Sequence, residues 1–335
     1  MTEKKRGFLA GLWVLIGKLG GKLIPTLIKL AKGLKFGKFA AAGLTFGAYS
    51  MLFSWKFVVV LMGSIFLHEC GHIWAMRRCG MSVKGIYFLP FMGAAAVSDE
   101  AFKSRGDEAY IALMGPIWGL GIAVLTYIGY LLTGVPLIAA LAGWMAMVNL
   151  FNLLPINPLD GGRLLKSVAF SLSSWGGVAV MAGGLVLALI LAVKAGLMLL
   201  WLMIIAGLLE LLGEIREIRR QRSGRMMRRE FVEPLATHFG VAPKVEAVVE
   251  ALKAIPHYPY CTAQFIESDG DNGKRPYAAD EIVEGLTRTD KPVMSASWAT
   301  TAFVGYLALA GALLALMYAA SHVPAAKVAL DVFMN

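Results

Sequence analysis

From Phe39 to Met76 the chain runs almost without a polar break, interrupted only by Ser54, Trp55 and Lys56. About 20 apolar residues suffice for a helix to cross the ~30 Å hydrocarbon core of a bilayer. This run is therefore too long for one span and too apolar for a soluble domain. It reads as two passes, 39–54 and 56–76, turning at Trp55, the first of them short. Similar runs follow at 109–132 and 136–157, split by TGVP at 133–136, then at 176–193 and 196–213, turning at Lys194, and last at 298–320. Only 16% of residues are charged, against roughly 25% in an average soluble domain. The expected fold class is an all-α polytopic membrane protein with about six to seven transmembrane helices.

The net charge of +10 is unevenly spread, with nine Lys/Arg between Lys4 and Lys38 and seven between Arg216 and Arg229. Basic loops resist translocation, so such concentrations mark cytoplasmic segments. With the N-terminus inside, cytoplasmic loops hold Arg77, Arg78, Lys84, Lys103, Arg105, Arg163, Lys166 and the Arg216–Arg229 run. Outer turns hold only Lys56 and Lys194, and the C-terminal tail only Lys327. The basic patches adjoin apolar spans, which favours a lipid bilayer over nucleic acid as their partner. Residues 1–38 read as a basic amphipathic helix on the cytoplasmic membrane face rather than a signal peptide, because Lys18, Lys22 and Lys29 interrupt the apolar run. Cys70, Cys79 and Cys261 are scattered and odd in number, which implies free thiols. The basic bias puts the N-terminus on the cytoplasmic side, and the expected location is a bacterial inner membrane.

Two segments are not simple spans. Residues 80–97, GMSVKGIYFLPFMGAAAV, are β-rich and punctuated by Gly and Pro, so a small membrane-associated hairpin is expected. Residues 230–295 form a soluble cytoplasmic insert, α+β or irregular, with 11 acidic and 6 basic residues. Pro243 opens a helix there with Val245, Val248, Val249 and Leu252 on one face. ESDGDNGKRP at 267–276 reads as an exposed turn, since its acids lack EF-hand spacing. The resulting division is 1–38 basic segment, 39–213 core, 214–296 insert and 297–335 final helix and tail.

Inside the second apolar pass stands HECGH, residues 68–72. Histidines four apart share a helix face, where two ring nitrogens can bind one zinc ion. Glu69, beside the first ligand, is then placed to take a proton from water. Five-letter patterns occur by accident, here about 3 times in 1,000 sequences of this composition. Location sharpens the signal: an ionisable group at mid-membrane costs at least ~2.5–3.5 kcal/mol, and three within five residues need a partner. A further ligand at similar depth is offered by NLLPINPLDGGRLLK, residues 152–166. Asp160 is the only acid between Glu108 and Glu210. Pro155 and Pro158 break the helix before it, and Gly161 and Gly162 permit a tight turn after it. The second and fourth spans both run inward, so His68, His72 and Asp160 can meet near the cytoplasmic side.

These residues resemble the site-2 proteases, intramembrane zinc metalloproteases. HECGH matches the family's zinc-binding helix, NLLPINPLDGGR its second signature about 90 residues on, and LMGPIWG at 113–119 its Gly-Pro stretch. The resemblance covers roughly 39–213 and implies Zn2+ held by His68, His72 and Asp160, with Glu69 as general base. It implies substrate binding or oxyanion stabilisation by Asn152, with Pro158 in the motif's proline position. Asn149 and Asn157 are expected to be packing or loop-satisfying amides, and Cys70 to pack. The family's substrates imply a single-span membrane protein or membrane-associated regulatory protein as partner, cleaved with the active site open to the cytoplasm. A transporter or sensor would carry further acids and histidines on other spans, and a di-iron lipid hydroxylase would need several histidine clusters. Only two of the five histidines lie in the core, because His238 and His257 fall in the insert and His322 beyond the last span.

Overall fold

The computed structural model describes residues 37–89, 93–195, 198–254, 279–287 and 291–334. The expected N-terminal amphipathic helix and the 267–276 turn lie outside these residues. Four helices are long and apolar enough to cross a membrane: α2 (Trp55–Arg78), α3 (Arg105–Thr133), most of α6 (Ser174–Ala195) and α10 (Ala296–Ser321). The first expected pass is α1 (Gly37–Ser50), only 14 residues, or roughly 21 Å at 1.5 Å per residue. The fourth is α4 (Pro136–Asn152), an apolar helix of 17 residues. It stops short of 157 because Pro155 cannot continue it.

Two compact units partition the chain. One comprises residues 1–100, 114–149 and 312–335. Here α2 is capped at Ser54, whose hydroxyl accepts from Phe57 N at 3.4 Å. The same serine's backbone N–H donates to Met334 O at 2.6 Å, tying α11 (Ala326–Met334) to the start of α2. At the far end Gly80, at φ +67°, closes a Schellman motif: Gly80 N donates to Arg77 O and Met81 N to Met76 O, each at 3.0 Å. Arg77 and Arg78 complement the carbonyl end of the helix dipole there. The expected hairpin is present as β1 (Gly85–Leu89) antiparallel to β2 (Gly93–Val97), with Ile86 opposite Ala96. Strand β1 packs on α1 and β2 on α2.

The other unit comprises residues 101–113 and 150–311. A loop leads from α4 to α5 (Asp160–Leu172), which packs on α6, and α6 on α7 (Met198–Phe239). We expected a span at 196–213 followed by a separate insert. Instead α7 runs 42 residues without interruption, because 214–233 holds no proline and is rich in Arg, Glu and Met, all good helix formers. It ends where Gly240 takes φ +63°. The regular elements in the described part of the insert are helices, joined to irregular stretches at 240–244 and 291–295. In it α8 (Val245–Lys253) and α9 (Ala279–Thr287) pack on the end of α7, burying Phe231, Leu235, Val248, Leu252, Ile282 and Leu286. The apolar face expected after Pro243 is the one buried.

Lys166, read from sequence as a loop charge, is buried on α5 at 3% exposure. Its ammonium lies 2.9 Å from Glu108 and also pairs with Glu210. Arg105 reaches Glu214 at 2.6 Å and Glu108 at 3.2 Å, and Lys291 reaches Glu108 at 3.5 Å. Burial alone pulls the Lys166 pKa down, but the carboxylates of Glu108 and Glu210 outweigh it and hold the group above its ordinary value.

Candidate metal centre

On α2, His68 and His72 bring their Nε2 atoms to 3.1 Å, with the rings crossing at 74°. Both are buried, each 4% exposed. Helix α3 can pass them only because residue 115 has no side chain: a Cβ there would stand 2.2 Å from His72 Nε2 and 2.7 Å from His68 Nε2. This is the glycine of the Gly-Pro stretch. Behind His68, its Nδ1 lies 2.8 Å from Asn149 Oδ1, and Asn149 Nδ2 donates to Met145 O at 2.8 Å. Asn149 is 1% exposed, so this amide, expected to be a packing group, meets the first histidine directly. The sequence hint was its place one turn before Asn152, but an amide's partner 81 residues away leaves no local pattern.

Glu69, next along α2, is also buried and accepts a hydrogen bond from the backbone N–H of Ala96 at 2.8 Å. In register Ala96 faces Ile86, yet its N–H turns away to the helix, as it does for alternate residues of an edge strand. The hairpin thus presents its β2 edge to the glutamate.

Asp160 opens α5, following Leu159 in extended conformation. We expected Gly161 and Gly162 to make a turn. Both instead lie within the first turn of α5, where a Cβ on Gly161 would stand 2.0 Å from Leu153 O and one on Gly162 2.4 Å from Ile156 C. The glycines serve close approach of the helix to the preceding loop, not reversal of the chain. Tyr306 Oη adds a hydrogen bond to Leu153 O at 2.8 Å, and Arg163 Nη1 lies 3.9 Å from Asp160 Oδ1.

Within their own unit His68 and His72 thus offer two adjacent ring nitrogens to one ion. Zinc–nitrogen bonds of ~2.0–2.1 Å in a tetrahedron separate two nitrogens by ~3.3–3.4 Å, close to the 3.1 Å between the Nε2 atoms. Two imidazoles and a carboxylate are a donor set that leaves a fourth position open. Among the remaining named residues, Asn152 is half-buried as the last residue of α4, and Pro158 is exposed in the loop before Asp160. Asn157 is 5% exposed, and neither its Oδ1 nor its Nδ2 finds a partner among the described residues. Cys70 is a half-buried free thiol on α2.

Residues 56–143 match the model of Peptidase family M50. The chain is 34% identical to Rip3 of Mycobacterium tuberculosis over 162 residues, 44% of this chain and 41% of that protein. It is 32% identical to the zinc metalloprotease MJ0392 of Methanocaldococcus jannaschii over 115 residues, 33% of each chain. Among solved structures it is similar to a site-2 protease from Methanocaldococcus jannaschii, at 27% identity and a TM-score of 0.35, covering 49% of this chain and 78% of that one. It spans less than half the length of these two curated relatives. The segment 56–143, which carries His68, Glu69 and His72, is the part of the chain that matches Peptidase family M50.

Proposed function

We propose that this protein is an intramembrane zinc metalloendopeptidase that cleaves single-span or membrane-associated regulatory proteins. The buried imidazoles of His68 and His72, their Nε2 atoms 3.1 Å apart with Glu69 on the same helix turn, carry the reading. His68, His72 and Asp160 would hold the ion. Zinc, when bound, supplies Lewis acidity that polarises a scissile carbonyl and acidifies water. Glu69 is the general base: its carboxylate takes the proton of the attacking water and returns it to the leaving amine. Asn152 binds the substrate backbone or stabilises the oxyanion, and Pro158 shapes the loop that carries Asp160.

A helical substrate hides its carbonyls in its own hydrogen bonds, so it must unwind before attack. The hairpin assists by pairing with the extended substrate as an added strand. The Ala96 N–H at Glu69 supports this, since a strand laid along β2 passes the base. Proline substitutions along 93–97 that leave cleavage intact would remove the hairpin from the mechanism.

The core is 39–213, with 1–38 a basic membrane-surface segment, 214–296 a cytoplasmic insert and 297–335 the final helix and tail. Helix α4 and the apolar start of α7 join the four long helices in the bilayer, giving six spans, and α1 would make a seventh. The basic residues favour a cytoplasmic N-terminus and active-site opening, in what we take to be a bacterial inner membrane. The test is Glu69→Gln in purified protein. It should retain about one zinc per chain and lose cleavage of a model membrane substrate, whereas full cleavage would exclude Glu69 as base. The same variant, used to trap partners in the native host, identifies the substrate.

A further inference from the structure

We propose that Asn149 is a positioning residue for His68, fixing which ring nitrogen carries the proton and so presenting Nε2 to the metal. The inference rests on the reading of His68 as a zinc ligand and assigns a role to a residue outside both signature motifs.

The argument follows from donor and acceptor chemistry. Asn149 Nδ2 lies 2.8 Å from Met145 O, a group that can only accept, so the NH2 end of the amide must face Met145. The other end, Oδ1, therefore faces His68, and an amide oxygen likewise only accepts. His68 Nδ1, at 2.8 Å, must then donate. With the proton on Nδ1, the lone pair of the neutral ring sits on Nε2, the atom 3.1 Å from His72 Nε2. A metal-bound histidine commonly gives its other N–H to such an acceptor, which sets the tautomer and ring direction. The amide has no freedom to turn away. It is 1% exposed, and a Cβ on residue 119 would stand 1.8 Å from Asn149 Oδ1. Gly119 thus leaves the space that the amide fills.

The test measures zinc affinity of the full-length protein in detergent by competition with a chelator, together with the visible spectrum of the Co2+-loaded form. Asn149→Leu, similar in size but without an acceptor, should weaken zinc binding ~10–100-fold and shift the Co2+ spectrum. Asn149→Asp, which keeps an oxygen for Nδ1, should restore affinity to within a few-fold. Gly119→Ala pushes on the amide from outside and provides the test should the leucine variant misfold. It should weaken binding similarly, and combining it with Asn149→Leu should add little. Equal affinity in the parent and Asn149→Leu would overturn the proposal, as would equal losses in the Leu and Asp variants, since packing alone would then explain both. If the parent binds no zinc, or His68→Ala binds it as tightly as the parent, the ligand reading itself falls and takes this role with it.

Discussion

Two clusters of buried polar groups lie in this protein, and they are built on opposite rules. Around His68 and His72, two imidazole rings, the amide of Asn149 and, next along the helix, the carboxylate of Glu69 are buried. Around Lys166, three cations (Arg105, Lys166, Lys291) meet three carboxylates (Glu108, Glu210, Glu214). The second set balances itself and asks for nothing further. The first is made of ring nitrogens, an amide and a carboxylate, donor types that a divalent cation takes as ligands. Burial alone therefore does not mark a site; the chemistry of the buried groups does.

The largest effects test the donor-rich cluster. Replacing His68 or Asp160 by Ala should abolish stoichiometric zinc binding, read by metal analysis of purified protein. Glu69→Gln should keep the metal yet slow peptide cleavage by at least ~10²–10⁴-fold, the usual worth of a general base. Were Glu69→Gln to lose zinc, the carboxylate would belong to the metal site and the contrast between ligand and base would collapse.

The balanced cluster should respond in stability and not in metal content. Lys166→Met takes from Glu108, whose side chain is 3% exposed, its nearest cation while Arg105 and Lys291 remain, so the loss should fall below the ~3–5 kcal/mol of a fully broken buried pair. The expected result is a lower thermal midpoint with about one zinc still bound. Adding Glu108→Gln should recover part of the loss. For Lys166 the folded pKa lies above the unfolded one, so its stabilisation is complete below the ordinary value of 10.5 and is lost as pH rises through the folded pKa. Changes in stability near neutral pH would have to come from other groups.

The clusters also differ in how far a sequence reveals them. His68, Glu69 and His72 are neighbours on one helix turn, so spacing alone brings them together. Asp160 stood out because nothing else acidic occurs for a hundred residues around it. The ion network left no such trace. Glu108 and Glu210 registered only as the ends of that acid-free stretch, and Lys166 as a marker of topology, because pairing between distant helices has no periodicity. The same holds for Asn149, whose partner lies on another helix, and for Gly161 and Gly162. Glycine in sequence signals a turn more often than a close approach, and only the path of the loop at 153–157 distinguishes the two. The continuation of α7 beyond 213 was hidden for another reason: a change from apolar to charged residues alters what a helix touches, not whether it is one.

The glycines give a smaller effect that bears at once on the proposed ligand Asp160 and on the ion network, since α5 carries Asp160 at its start and Lys166 six residues later. Gly161→Ala would place a methyl carbon 2.0 Å from Leu153 O. Backbone cannot yield as a flexible side chain would, so the first turn of α5 must shift, at ~1–3 kcal/mol for such overpacking. If the helix moves as a rigid body, zinc affinity and thermal stability should fall together. If only its first turn gives way, Asp160 is displaced while Lys166 keeps its partners. Zinc affinity then drops with little loss of thermal midpoint in the zinc-free protein. The pair of measurements, taken on one variant, tells whether the two clusters are mechanically one element or two.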